Sequence, residues 1–288
     1  IDTFLRDFPA VFGFSEIDLA NEVSELKTVL DEFNPDFIVH FAGLKSVGES
    51  EEKPDLYMNN NVGSTRNLLE NMNSETFFIF SSSATVYGNN PNQPLTEASS
   101  VEATSVYGQS KIECENLIKD YAFNKGVKSV CLRYFNPVGS HQEFIVVEDY
   151  LNQPNNLMPK LIECVKNGKN TINVYGNDYE TKDGTGERDY IHIIDLVEGH
   201  IAAMEKVQKI ENIDFFNLGT GQSTSVIELI STFNKTNKQS IKINFVDRRK
   251  GDVAICYSNP LKALNELDWR ANLSLERMCK DSWEATQK

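Results

Sequence analysis

The part of the sequence that restricts the fold of this chain most strongly is a five-residue run, Phe37-Ile38-Val39-His40-Phe41. The run is apolar almost without alternation, which is typical of a strand buried on both faces of a parallel sheet and paired on each side. Further short apolar runs alternate with amphipathic segments that are long enough for helices. This alternation predicts an α/β fold whose mainly parallel sheet is covered by helices on both faces.

The same periodicities locate the individual elements. The predicted strands are Val11–Phe14, Asp36–Ala42, Thr76–Ser82, Val127–Tyr134, Ile213–Leu218 and Ile241–Val246. The predicted helices are Asn21–Phe33, Asp55–Met72, Tyr107–Asn124, Asn156–Asn167, Asp195–Val207 and Val226–Asn234, with short ones near Pro260–Leu267 and Ser274–Ala285. Polar residues become more frequent near Pro137. We therefore expect a first domain over 1–136 and a second over 137–288, with segments near 190–220 returning to the first.

Charge and cysteine content narrow the functional classes. The 288 residues carry a formal charge of −14 at pH 7, with an isoelectric point near 4.8, which disfavours broad contact with nucleic acid or an anionic membrane. No apolar run approaches the roughly 20 residues of a membrane span. The five cysteines are widely spaced and odd in number, so they predict neither a disulfide framework nor a metal site. They fit the reducing cytoplasm.

Tyr107 and Lys111 are the first candidates for chemistry. They lie four residues apart at the start of a predicted helix, so both side chains share one face. An adjacent ammonium favours the phenolate of a tyrosine, which would bring a general base towards neutrality. Small hydroxyl residues, including Ser83, follow the strand before this helix, at the end of the sheet where such folds bind ligands. Without further signals, an exposed Tyr and Lys on a helix face would be the commoner explanation.

Nine runs, in the same order along nearly the whole chain, resemble the UDP-glucose 4-epimerase family of the extended short-chain dehydrogenases. They are HFAGLK at 40–45, GES at 48–50, NNV at 60–62, SSSATVYG at 81–88, YGQSK at 107–111, RYFNPVG at 133–139, PNNLMP at 154–159, GNDYETKDGTGERDYIH at 176–192 and RRKGD at 248–252. The resemblance implies a Rossmann-like, doubly wound sheet with a smaller α/β substrate domain. It also implies a homodimer with contacts through helices Asp55–Met72 and Tyr107–Asn124.

The resemblance implies a chemistry as well. Tyr107 would take the proton of the sugar 4-hydroxyl while C4 passes a hydride to bound NAD, and the transient 4-keto sugar would take the hydride back on its other face. Lys111 would lower the pKa of Tyr107 and bind the nicotinamide ribose, and Ser83 would bind the 4-oxygen or relay its proton. The residues implied at NAD are Asp18, Leu19, Phe41, Ala42, Gly43, Leu44, Lys45, Asn60, Ser83, Tyr107, Lys111 and Phe135.

The UDP-hexose would be held by cations and by backbone. Arg188 and Arg249 match the family's contacts to the diphosphate, and guanidinium groups suit phosphate oxygens. The further residues implied at the substrate are Ser83, Tyr107, Asn136, Asn156, Leu157, Asn173, Val174, Tyr175, Asp252 and Cys256. A small residue at Cys256 leaves room for an N-acetyl group at C2, so we also expect turnover of UDP-N-acetylhexosamines. Asp183 and Glu187, near Arg188, are predicted to be ordinary solvated charges.

The chain departs from the family at its start. Neither of its two G-x-G triplets continues into a glycine-rich dinucleotide fingerprint, and the family's first strand, glycine turn, helix and second strand would precede Ile1. We expect this first segment to be missing through truncation, disorder, a gene-model error or a real loss, and the strand at 36–42 to be an apolar edge. The segment 142–153 also differs from the family, which predicts altered dynamics near the substrate entrance.

Two alternatives stay open on these residues. One is a non-catalytic UDP-sugar-binding or regulatory protein, derived from an epimerase, that has lost NAD binding. The other is a sugar-nucleotide dehydratase, but those enzymes have an acidic residue beside the catalytic Thr, where this chain has Ala84-Thr85-Val86.

Overall fold

A computed structural model of the protein describes residues 13–141, 143, 156–249 and 251–287. Its strands are β1 Phe37–His40, β2 Phe77–Ser83, β3 Ser129–Tyr134, β4 Asn136–Val138, β5 Thr171–Tyr175, β6 Glu187–Arg188, β7 Tyr190–His192, β8 Ile213–Leu218, β9 Thr224–Ser225, β10 Lys242–Val246 and β11 Ile255–Cys256. Its α-helices are α1 Val23–Phe33, α2 Val47–Glu52, α3 Pro54–Tyr57, α4 Gly63–Asn71, α5 Val106–Lys125, α6 Leu157–Lys166, α7 Ile193–Glu205, α8 Val226–Asn237 and α9 Leu275–Glu284.

The main sheet has the order β1-β2-β3-β8, and every pairing in it is parallel. The predicted α/β class is therefore confirmed. The predicted helix at 55–72 consists of α3, the π-helical turn Met58–Val62 and α4 in direct succession. Of the predicted strand Val11–Phe14, residues 11 and 12 lie outside the described residues, and residues 13 and 14 form no strand.

β1 lies at the edge of this sheet in the part of the chain that the structure describes. It pairs with β2 alone, so the prediction of a neighbour on each side is not met, whereas the expected apolar edge is present. Phe37 is 39% exposed and Phe41, just beyond the strand, is 61% exposed. An edge strand of this kind leaves backbone hydrogen-bonding groups available to another strand.

Two apolar layers cover the sheet. Leu26 of α1, Leu68 of α4 and Ile118 of α5 pack on one face, against Phe78 and Phe80 of β2. The opposite layer is formed by α7 and the segment after β11, and its buried members include Leu196, Ala203, Leu267 and Trp269. Each fully buried side chain of this size contributes about 1.5–3 kcal/mol. The sheet core therefore fixes the position of the strand ends that carry the site.

A further core lies among later elements. α6, α8 and α9 bury Leu161, Leu229, Phe233 and Met278 against Val174 of β5. β5 and β10 form a separate parallel pair, and β11, β6 and β9 form a small three-stranded sheet. The division into domains at 136/137 stays a prediction. None of the described helices is long and apolar enough to cross a membrane.

Candidate active site

Ser83 and Tyr107 meet where β2 ends and α5 begins. Ser83 is the last residue of β2, and its hydroxyl accepts hydrogen bonds from Thr85 N at 3.2 Å and Thr85 Oγ1 at 3.0 Å. α5 starts after Ser105, which caps the helix by accepting from Gly108 N at 3.1 Å. A Cβ at Gly108 would lie 2.9 Å from the Thr85 carbonyl oxygen, so glycine permits this close approach. As a result, the Tyr107 side chain lies beside Ser83, close enough for the Ser83 hydroxyl to lower the pKa of the tyrosine.

Lys111 lies beneath this pair, one helical turn further along α5. Its side chain is buried, and its ammonium donates to the Ser81 carbonyl oxygen at 2.8 Å. The ammonium is 5.9 Å from the centre of the Tyr107 ring. Ser81 is its one hydrogen-bond acceptor within the described residues, which leaves two N–H groups for a ligand.

Burial controls the protonation of both groups. It raises the pKa of Tyr107, which the hydrogen bond from Ser83 only partly offsets, and it lowers the pKa of Lys111. The predicted lowering of the Tyr107 pKa by Lys111 is therefore not found. The reason is that removing a phenolate from water is costly, and the ammonium points to the Ser81 carbonyl rather than to the phenol.

Tyr134 and His200 support the same strand end from below. The Tyr134 hydroxyl contacts Ser81 Oγ at 2.8 Å and makes a short hydrogen bond with His200 Nε2. His200 Nδ1 faces the Leu196 carbonyl oxygen at 2.8 Å, so Nδ1 carries the proton and Nε2 accepts from Tyr134. The half-exposed ring of Phe41 lies 5.0 Å from the His200 ring. A predicted cofactor residue thus packs directly on this support.

The loop after β1 approaches Lys111 closely. A Cβ at Gly43 would lie 3.1 Å from Asn61 Oδ1 and 3.8 Å from Lys111 Nζ. Asn61 fixes the loop by pairing with Leu44, accepting from its N–H at 2.8 Å and donating to its carbonyl at 3.0 Å. The sequence predicted Asn60 at the cofactor and missed buried Asn61, since the two adjacent asparagines differ only in the direction that the π-helical turn gives them.

These features fit the ribose end of a dinucleotide. A buried ammonium offers two donors, and a glycine backbone passes beside it with no side chain between them. Both suit a ligand that carries hydroxyl groups and must lie close to the protein backbone. Ala42 and Lys45, in the same loop, are exposed.

The other predicted cofactor residues lie further out. Asp18 accepts hydrogen bonds from Ala20 N at 2.9 Å and Asn21 Nδ2 at 2.8 Å, and these bonds lower its pKa. The Leu19 carbonyl oxygen accepts from Asn67 Nδ2 at 2.9 Å. Phe135 is buried in a small apolar cluster against which Cys256 packs.

Arg188 and Cys256 are direct neighbours across paired strands. They face each other in the register of β6 with β11, and the Arg188 guanidinium donates to the Glu187 carbonyl oxygen at 2.9 Å. Burial raises the pKa of the Cys256 thiol to about 11, so the thiol is neutral at physiological pH. A predicted phosphate contact and a predicted specificity residue therefore line one surface.

Glu187 is not the solvated charge that the sequence predicted. Its side chain is buried and accepts a short hydrogen bond from Ser223 Oγ and one from Lys182 N at 3.1 Å. Asp183 is exposed, as expected, but it accepts from Thr185 N at 2.9 Å. Glu187 is buried because β9 pairs with β6 and places Ser223, 36 positions further along the chain, against its carboxylate.

Tyr175 and Arg249 form a second cationic surface. The Arg249 guanidinium carbon is 3.8 Å from the centre of the Tyr175 ring, and its hydrogen bond lowers the pKa of that tyrosine. Arg249 is exposed and available to an anion. Asn173, two residues earlier in β5, is exposed and accepts from Asn244 Nδ2 at 2.8 Å, whereas Val174 is buried.

The remaining predicted substrate residues occupy strand and helix ends. Asn136 starts β4, and its N–H donates to the Asp189 carbonyl oxygen at 2.9 Å. Asn156 is the N-cap of α6, and Leu157 is its first residue. Asp252 is exposed, and its N–H donates to the Arg249 carbonyl oxygen at 3.3 Å.

Asp189 is a buried residue that the sequence did not single out. Its carboxylate accepts from Gly221 N at 3.0 Å and Ser258 N at 3.1 Å, and also from Thr220 N at 2.8 Å. Asp189 directly follows Arg188, so these bonds hold Arg188 in place relative to the loops at Thr220 and Ser258. Among the described residues, no group of three or more His, Cys, Asp or Glu side chains could hold a metal ion.

The parallel sheet, with Ser83, Tyr107 and Lys111 at one strand end, defines an extended short-chain dehydrogenase. A family model described as GDP-mannose 4,6 dehydratase matches residues 6–282. The UDP-glucose 4-epimerase of Bacillus subtilis is 44% identical over 273 residues, which are 94% of this chain and 80% of that protein.

Solved structures agree with this match. A UDP-glucose-4-epimerase of Stenotrophomonas maltophila, with bound NAD and formylated UDP-arabinopyranose, has a TM-score of 0.92 at 36% identity, over 98% of this chain and 84% of that one. The Bifidobacterium longum UDP-glucose 4-epimerase, in complex with NAD+ and UDP, has a TM-score of 0.89 at 39% identity, over 95% and 82%. The chain belongs to the UDP-glucose 4-epimerase family, within the wider group that the dehydratase model describes.

Proposed function

We propose that the protein is an NAD-dependent UDP-glucose 4-epimerase that interconverts UDP-glucose and UDP-galactose. The observation that carries this proposal is the placement of Ser83 beside Tyr107, one helical turn from a buried Lys111, in a chain 44% identical to an epimerase. A chain that carries all three side chains at one strand end is equipped for proton transfer at a sugar hydroxyl. The non-catalytic alternative has no support in these relatives.

Tyr107 is the group that removes and returns the proton of the sugar 4-hydroxyl. Ser83, beside the phenol, has a single O–H to donate, and with substrate bound it donates to the 4-oxygen of the sugar or relays its proton. When bound, the cofactor would supply acceptance of a hydride from C4 and its return to the opposite face of the transient 4-keto sugar. Since burial raises the pKa of Tyr107, the deprotonated base depends on positive charge that the bound cofactor would bring close.

Lys111, Gly43 and Asn61 are the residues that hold the cofactor beside this base. The two available N–H groups of Lys111 bind the ribose hydroxyls, and the loop at Gly43, fixed by Asn61, lies along the dinucleotide. Phe41 and Phe135 add apolar contacts, and Asp18, Leu19, Ala42, Leu44, Lys45 and Asn60 complete the proposed set.

Arg188 and Arg249 bind the diphosphate of the substrate. An overall charge of −14 would repel a dianionic substrate, so cations must be concentrated locally at the site. Asp252 binds the uridine ribose, Asn156 and Leu157 bind the uridine or the diphosphate, and Asn173, Val174 and Tyr175 bind the uracil. Asn136 binds the sugar, and Cys256 leaves room for a C2 N-acetyl group, so UDP-N-acetylhexosamines are substrates too.

The proposal is tested with the purified full-length protein. We expect about one NAD per chain to be released on denaturation, and NMR to show conversion of UDP-galactose to UDP-glucose. Tyr107→Phe should lose about 100- to 10,000-fold in kcat while still binding UDP. A protein that binds UDP but neither contains NAD nor converts the sugar would support the non-catalytic alternative instead.

The protein also forms a homodimer in the cytoplasm. Leu56 and Phe123, 46% and 68% exposed on the helices that the family resemblance implicates, offer apolar surface to a second copy. All five cysteines are free thiols, which suits a reducing compartment. Light scattering of the purified protein checks the dimer.

A further inference from the structure

Tyr179 is a buried tyrosine that none of the proposed roles uses. It is 8% exposed, and its ring is held between Gly176 and Arg248. A Cβ at Gly176 would lie 2.5 Å from the ring, and the Arg248 guanidinium carbon is 4.1 Å from the ring centre. Glycine at 176, in the left-handed region with φ 80°, therefore makes room for this ring.

The Tyr179 hydroxyl lacks a partner. Across the described residues it is the one fully buried side-chain nitrogen or oxygen without a hydrogen bond. Native proteins pair almost all such groups, because leaving a buried donor unpaired is costly. A phenol kept in this state is explained most simply by a partner that arrives with the ligand.

The surroundings indicate which ligand that is. Tyr179 follows the end of β5, four residues after Tyr175, whose ring carries Arg249. The charged groups around its hydroxyl are Asp252, Arg248, Arg188 and Asp178, and burial raises the pKa of this tyrosine, so it stays a donor. Two of the residues proposed to hold UDP, Arg188 and Asp252, thus lie beside the unpaired hydroxyl.

We propose that the Tyr179 hydroxyl donates a hydrogen bond to an oxygen of the nucleotide half of the substrate, on its ribose or its diphosphate. This inference rests on the proposed function, because it assumes that UDP binds between β5 and the loop that carries Arg249. The Arg248 guanidinium, paired with Asp178 at 2.7 Å, holds the ring in place from the solvent side.

The test is UDP binding by calorimetry, together with thermal unfolding without ligand, for the wild type and Tyr179→Phe. Phe keeps the ring and its contact with Arg248, and it removes only the hydroxyl. We expect the Kd for UDP to rise about 5- to 15-fold. We also expect the Tm of the free protein to be unchanged or higher, since no hydrogen bond is lost on substitution.

Tyr57→Phe is the matched control. Tyr57 is equally buried, but its hydroxyl donates to Glu49 Oε2 at 3.0 Å and accepts from Ser46 N at 3.0 Å. Its loss should lower the Tm of the free protein and leave UDP affinity unchanged. Calorimetry with uridine in place of UDP identifies the oxygen that is contacted. If Tyr179 binds the ribose, Tyr179→Phe also binds uridine more weakly than the wild type does. If it binds the diphosphate, the two proteins bind uridine equally.

An unchanged Kd for UDP in Tyr179→Phe, or a drop in the Tm of the free protein as large as that of Tyr57→Phe, overturns the inference. A wild-type protein that does not bind UDP overturns the proposed function as well. The two failures are therefore distinguishable.

Discussion

The Lys111 ammonium donates to the carbonyl oxygen of Ser81 at 2.8 Å, which fastens a helix residue to the end of the central sheet. The ring of Phe80 lies 4.7 Å from the same ammonium and closes its apolar side. The cation is therefore held in one place before any ligand arrives, and two of its N–H groups have no acceptor among the described residues.

Lys111→Met tests this arrangement. Methionine fills the space but offers no donor, so we expect weaker retention of NAD during dialysis and a kcat lower by about 10- to 150-fold, the usual worth of hydrogen bonds to a charged group. Absorbance of released NAD and the epimerase assay measure the two effects. Lys125→Met, an exposed change in the last turn of α5, serves as the control. Full NAD content with wild-type kcat would refute the role of Lys111.

Glu115→Ala tests a buried ion pair in the sheet core. Glu115 accepts from Arg133 Nε at 2.9 Å and Nη2 at 2.7 Å, and both side chains are at most 3% exposed. Removing one partner leaves a buried guanidinium uncompensated, so urea unfolding should show a loss of about 3–5 kcal/mol. Glu113→Ala, on the same helix, should change the free energy of unfolding by less than about 0.5 kcal/mol. Equal effects of the two variants would contradict the account.

His40→Gln tests the acid sensitivity of the fold. Burial and the nearby Lys111 lower the pKa of His40 from 6.5 to about 3 in the folded state. Between these values the unfolded chain binds a proton that the folded chain does not, so stability falls as the pH drops below 6.5. At pH 5 this single group costs about 2 kcal/mol.

Glutamine keeps a donor for Thr65 Oγ1, which His40 Nε2 contacts at 3.1 Å, and does not titrate. The difference in unfolding free energy between pH 7 and pH 5 should therefore shrink by about 2 kcal/mol. His141→Gln, an exposed change, should leave that difference as it is. An unaltered difference in His40→Gln would show that this histidine does not control acid stability.

Cys256→Tyr tests the proposed substrate range. Cys256 lies across from Arg188 and packs on the apolar cluster around Phe135, so a bulky ring there would fill space beside the sugar. We expect turnover of UDP-N-acetylglucosamine to fall by about 10- to 200-fold relative to UDP-glucose. Competition assays with both substrates measure the ratio. Absence of any N-acetyl turnover in the wild type would remove the basis of this prediction.

The sheet was predictable because each of its strands can be identified from its own short run of apolar residues. The apolar runs before Ser83 and around Val130 have no polar face, and such runs belong in the middle of a parallel sheet. The run at 37–41 also predicts a second strand beside β1, on the side opposite β2. The run itself does not show whether that strand exists, because apolar residues indicate burial but not which segment covers them.

That Ser83, Tyr107 and Lys111 lie together was predictable from the sequence, whereas their electrostatics were not. Spacing places Tyr107 and Lys111 on one face, but it does not tell that the ammonium turns to Ser81 or that burial raises the phenol pKa. Glu187 was misjudged because its partner Ser223 is distant in sequence. Tyr179 carried no signal, since an unpaired hydroxyl is visible only in three dimensions.

The most direct test of hydride transfer at C4 follows a deuterium label at C4 of UDP-galactose while the wild-type protein converts it in ordinary water. If the hydrogen leaves C4 as a hydride and returns to the same sugar, NMR will show UDP-glucose with deuterium retained at C4. Conversion with loss of the label to water, or no conversion at all by protein that contains NAD, would contradict the assignment as an epimerase acting at C4.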